Sequence, residues 1–96
     1  MSTARKTNGF EFSVRGSDDG TLQAAYFRFK TGKVARIREL LEGTLMASYD
    51  SAGTLLEITV LAPVSLSILE RYIARNRRRA FRKFVKGYVP PALVQA

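Results

Sequence analysis

From Ser65 to Tyr88 the chain reads SLSILERYIARNRRRAFRKFVKGY, and this stretch holds eight of the sixteen Lys and Arg residues. Glu70 is its single acid, so it carries +7 of the chain's +8 and leaves the remainder close to neutral. At about 100° per residue, Leu66, Leu69, Ile73, Ala80, Phe81, Phe84 and Tyr88 fall within about 120° of one another. Arg71, Arg75, Arg78, Arg79, Arg82 and Lys86 fall opposite, with Lys83 at the margin. Arg77 alone points into the apolar stripe, where its stem packs while its head reaches water. This segregation predicts one long amphipathic helix over 65–88. Pro63 precedes it, Ser65 or Ser67 caps it, and Ser67 with Glu70 has capping-box spacing. Gly87 and then Pro90-Pro91 end it.

A solvated helix face is the simplest account of a charge run. Surface helices, however, interleave acids with bases for i,i+4 support. Here like charges crowd one side, which costs stability unless an anion offsets it. Six of the eight cations are arginine, whose guanidinium forks onto phosphate or carboxylate. The phosphate backbone of nucleic acid is therefore the first candidate partner, through Arg71, Arg75, Arg78, Arg79, Arg82, Lys83 and Lys86. An acidic protein is the second and an anionic membrane surface the third. The last is disfavoured because the helix's apolar stripe is needed to cover a sheet.

That sheet is read from residues 10–62. Phe10 to Arg15 alternates, with Phe10, Phe12 and Val14 inward. Residues 16–20 are turn chemistry; their aspartates lack the ligand spacing of a calcium loop. Thr21 to Lys30 is a second strand with Ala25, Phe27 and Phe29 inward. A three-residue turn with Gly32 left-handed pairs Phe27 with Ala35 and Ala25 with Ile37 in a third strand, Val34 to Leu41. Leu41-Glu42-Gly43 repeats that turn. Thr44 to Tyr49 and Leu55 to Leu61 follow as strands, with Leu45, Ala47 and Tyr49, then Leu56, Ile58 and Val60, inward.

The expected fold is thus α+β: an antiparallel β-meander of four to five strands packed against one long C-terminal amphipathic helix, in a single domain. Residues 1–9 read as a flexible arm and 89–96 as an apolar tail that docks on its own sheet or on another chain. The outer sheet face carries Tyr26, Leu40, Met46 and Leu61 among charged residues. It suits either a homodimer interface or an ordinary solvated surface.

With no cysteine and no histidine, disulfide frames, thiolate chemistry, zinc fingers and His-based nucleophilic sites are excluded. Glu11, Glu39, Glu42 and Glu57 are scattered over separate strands or turns, so no catalytic carboxylate pair, metal site or cofactor is expected. No run of about twenty apolar residues spans a membrane, and the first residues do not form a secretory signal. The expectation is a cytoplasmic protein.

From Ser17 to about Ala62 the chain resembles a family of small bacterial proteins, the domain of unknown function 2283. The resemblance rests on Ala24-Ala25-Tyr26-Phe27-Arg28-Phe29, on Thr31-Gly32-Lys33-Val34-Ala35-Arg36, on Tyr49-Asp50 followed by Gly53, and on Leu56-Glu57-Ile58. It covers about half of the chain and leaves out the basic helix. The family's early Tyr-Asp is Gly16-Ser17 here, and its Asp before the tyrosine strand is Gln23. The resemblance implies a small β-meander without established activity, some members of which lie beside toxin-like genes. That suggests an antitoxin-like binding role. The reading is a non-enzymatic module, nucleic-acid-associated or regulatory. The alternative is a protein-interaction or oligomerisation module docking on an acidic partner.

Overall fold

A computed structural model describes residues 2–7, 10–16 and 22–95, with side chains for residues 10–15 and 24–95. The chain divides into two compact units, Met1–Ala62 and Pro63–Ala96. The division falls at the Ala62–Pro63 junction that precedes the basic stretch.

The first unit is an antiparallel sheet. Its strands are β1 (Ser2–Thr7), β2 (Phe10–Gly16), β3 (Leu22–Arg28), β4 (Arg36–Leu40), β5 (Leu45–Tyr49) and β6 (Leu55–Val60). Strands β2 to β6 lie in the order β2-β3-β6-β5-β4, and β1 adds beyond β2. Ser2–Thr7, expected as an arm, is therefore a strand paired with β2. The expected turn at residues 16–20 lies largely outside the described residues. The α+β class holds, but the simple meander does not. Two hairpin series, β1-β2-β3 and β4-β5-β6, are joined by β3 pairing with β6.

Burial explains that junction. Pairing with β6 sets Phe27 opposite Ile58 and Ala25 opposite Val60, and all four are at most 1% exposed. The expected partners Ala35 and Ile37 offer less apolar surface, and both are exposed. Phe29 stays beside β6, its N–H donating to the Leu56 carbonyl at 2.8 Å. The chain then crosses to the far side of β5, where the Ala35 N–H donates to the Tyr49 carbonyl at 2.8 Å. Gly32 lies on this crossing and not in a left-handed turn. A Cβ there would come within 3.1 Å of the Leu56 side chain, so glycine lets the crossing run close over a buried residue.

Register fixes which face each strand offers. One row across the sheet is Val14, Ala25, Val60, Leu45 and Leu40; the next is Phe12, Phe27, Ile58, Ala47 and Arg38. Apart from half-buried Val14 and exposed Arg38, the side chains in these two rows are buried, as the alternation in β2, β3, β5 and β6 predicts. β4 reverses its expected faces. Leu40, assigned to the outer surface, is opposite Leu45 and only 8% exposed, while Ile37, assigned inward, is on the outer face and 61% exposed. Arg36 and Arg38 share the face of Leu40, at the sheet's edge. Arg36 lies over the Tyr49 ring, 5.9 Å from its centroid.

The turns set these registers. Asp50 Oδ1 accepts from the N–H of Ala52 at 3.0 Å and of Thr54 at 2.9 Å, and left-handed Gly53 (φ 85°) closes that turn. Between β4 and β5 the turn Leu41–Gly43 is left-handed throughout, at φ 49°, 53° and 86°. Leu41 and Glu42 are sterically disfavoured there: each costs about 1–2 kcal/mol in that region. Asparagine and glycine suit such a turn. Leu41→Asn with Glu42→Gly should therefore raise stability by about 1 kcal/mol, read as a higher denaturant midpoint at unchanged slope. A lowered midpoint would count against the left-handed turn.

The second unit runs β7 (Val64–Ser65), α1 (Leu66–Glu70), a 3-10 turn (Arg75–Arg77), α2 (Arg78–Tyr88) and β8 (Val94–Gln95). The single long helix expected over 65–88 is thus broken. Ser65 caps α1, its Oγ accepting from the Ile68 N–H at 3.4 Å, so Ser65 rather than Ser67 is the cap. α1 tightens into i→i+3 bonds through Ile73, and Ala74 is extended (φ −54°, ψ 136°). α2 ends at Tyr88 because Val89, preceding Pro90, is driven to an extended conformation. The tail then turns, with the N–H groups of Leu93 and Val94 donating to the Pro90 carbonyl. β8 pairs in parallel with β7, Val64 opposite Val94. The apolar tail therefore docks within its own unit.

Candidate polyanion-binding face

α2 buries Phe81, Phe84 and Val85, each at most 2% exposed. Their projections span about 100° of the helix at 3.6 residues per turn. Arg78, Arg79, Arg82, Lys83 and Lys86 project over the other side, with Arg79, Lys83 and Lys86 most nearly opposite the buried residues. Arg79, Arg82, Lys83 and Lys86 are exposed, and Arg78 at the margin is half-buried. Five of the seven cations proposed for phosphate contact are thus gathered on one helix. Arg71 and Arg75 are exposed as well, but they sit on the corner between α1 and α2 and not on that arc.

The break reshapes the electrostatics. In a continuous helix Glu70 and Arg82 would stand about 18 Å apart. Here the chain folds back, and Arg82 Nη2 reaches both Glu70 carboxylate oxygens at 2.9 Å while its Nε reaches Oε1 at 3.2 Å. The pair is bidentate, with the Glu70 side chain 13% exposed and that of Arg82 55% exposed. Arg78 Nε donates to the Ile73 carbonyl at 3.1 Å, satisfying a backbone oxygen at the corner. Two guanidiniums are therefore partly committed to holding the corner. Among the described residues Arg79, Lys83 and Lys86 enter no ion pair. Beside the pair lies an open cleft of about 360 Å³ lined by Ser65, Ser67, Glu70, Arg82, Lys86 and Gln95.

Sequence periodicity missed the Glu70–Arg82 contact, which no helical spacing signals. It also misplaced Tyr88, which is 49% exposed with its ring 5.4 Å from that of Phe84. On the sheet's outer face the proposed interface residues scatter. Tyr26 and Met46 flank Thr59 in one row and are half-buried, Leu61 is 43% exposed, and Leu40 belongs to the buried face. Arg28 pairs with Glu57 at 3.2 Å on that same outer face. Among the described residues no group of three acids is placed to hold a metal ion, and no helix is long and apolar enough to cross a membrane. No protein-family model, curated protein or solved structure matches this chain.

Proposed function

We propose that this protein is a non-enzymatic binding module whose α2 face engages the phosphate backbone of nucleic acid. One observation carries the reading: Arg79, Lys83 and Lys86 stand exposed, with no ion pair among the described residues, opposite the buried Phe81, Phe84 and Val85. Only one acid lies in the sequence of the second unit, and it is already engaged by Arg82. A cationic arc without local counter-ions gains by releasing the ions condensed on a polyanion. Contacts of this kind position a protein on the backbone without reading base sequence. A regulatory, antitoxin-like role would use the same face.

The test is fluorescence anisotropy of labelled duplex DNA and single-stranded RNA with the whole chain across a salt series. Four to six phosphate contacts give a slope of log affinity against log salt of roughly −3 to −5. A flat dependence, or no binding at low salt, would reject the proposal.

A further inference from the structure

β4 ends the strand order of the sheet, so among the described residues one of its edges has no strand beside it. Backbone N–H and C=O groups on such an edge point outward and can pair with another extended chain. Every residue from Thr31 to Glu39 is exposed, including Val34 at 47% and Ile37 at 61%. Between Lys30 and Arg38 the chain carries Lys30, Lys33, Arg36 and Arg38 and no acid. Register sets Arg36 and Arg38 on one face of the strand and Ile37 on the other.

That pattern argues against a second copy as the occupant. Antiparallel pairing of β4 with itself about Arg38 sets guanidinium against guanidinium, and like charges directly opposite are destabilising. It favours a strand of the opposite pattern, with acids at alternate positions and an apolar residue between them. A nucleic acid would use the cations but neither the backbone edge nor Ile37. We propose that the free edge of β4 accepts an extended acidic peptide segment of a partner protein by strand addition. Acids of that segment face Arg36 and Arg38, and the apolar residue between them lies against Ile37. This inference is independent of the α2 face.

The probe is a short synthetic peptide alternating Glu and Val, titrated into the isotope-labelled whole chain and followed by amide NMR and hydrogen exchange. The expected result is shifts centred on Arg36–Leu40 and at least tenfold slower exchange there. A peptide with proline at its central apolar position should lose binding, since it cannot complete the ladder. Arg36→Glu with Arg38→Glu should switch preference to a Lys-Val peptide by at least tenfold. Should that variant fail to fold, Ile37→Ser, which removes only an exposed side chain, should weaken Glu-Val binding several-fold. Shifts confined to α2, equal binding of the proline peptide, no binding at millimolar peptide, or stronger protection of β4 by duplex DNA would each overturn the proposal.

Discussion

Arg79→Glu, Lys83→Glu and Lys86→Glu, introduced together, are expected to abolish nucleic-acid binding while leaving the fold intact. The three side chains are exposed and enter no ion pair among the described residues. Each phosphate contact contributes close to one unit to the salt slope, so losing three costs roughly 10²–10³-fold in affinity near 0.1 M salt. Reversal adds repulsion on top of that loss. Stability should move by no more than about 0.5 kcal/mol, as for other exposed substitutions. Relief of like-charge crowding acts in the favourable direction. Arg82 is left alone in this variant because its replacement by an acid would confront Glu70 and unsettle the corner. Anisotropy beside a thermal melt reads both quantities. A folded variant that binds as well as the parent would remove α2 from the interface.

Phe27→Ala is expected to have the largest effect on stability. Phe27 is 1% exposed in β3, opposite Phe12 and Ile58, with its ring 5.0 Å from that of Phe12. Truncating a buried phenylalanine costs about 3–5 kcal/mol through lost transfer energy and the cavity left behind. A small domain has only about 5–15 kcal/mol in total, so this change takes roughly a fifth of it at the least. Tyr26→Ala, the neighbouring change on the outer face, should cost much less because Tyr26 is only half-buried. Equal losses for the two variants in urea denaturation would contradict the assignment of faces in β3.

The face of β3 was legible because the aromatic pair Phe27 and Phe29 alternates with Tyr26, Arg28 and Lys30, and a similar alternation marks Phe10 and Phe12 in β2 and Leu56, Ile58 and Val60 in β6. β4 was not legible. Its five residues hold two arginines and one leucine on one face, and Ile37 and Glu39 on the other, so apolar count does not decide. The decision comes from Leu41–Gly43, which holds Leu40 opposite Leu45 and uses left-handed leucine and glutamate that no turn signature announces. Strand order misled for a related reason. Consecutive strands usually pair, but β3 finds better burial against β6. The cationic face was readable because helical spacing is local. The break between α1 and α2 was not, since residues 71–77 contain neither glycine nor proline. It is held by Glu70–Arg82 and by Arg78 on the Ile73 carbonyl, contacts between residues that periodicity keeps apart.

The pairing of β7 with β8 closes the second unit on itself. Val64 in its first strand and Val94 in its last face each other across one rung of a ladder. The thirty or so residues between them leave and return to the same point, as an inserted loop does. A segment whose two ends meet can be spliced into a surface turn of an unrelated host without stretching either backbone. In that sense the cationic helix is carried on a cassette, portable together with its own cap, corner and closing ribbon.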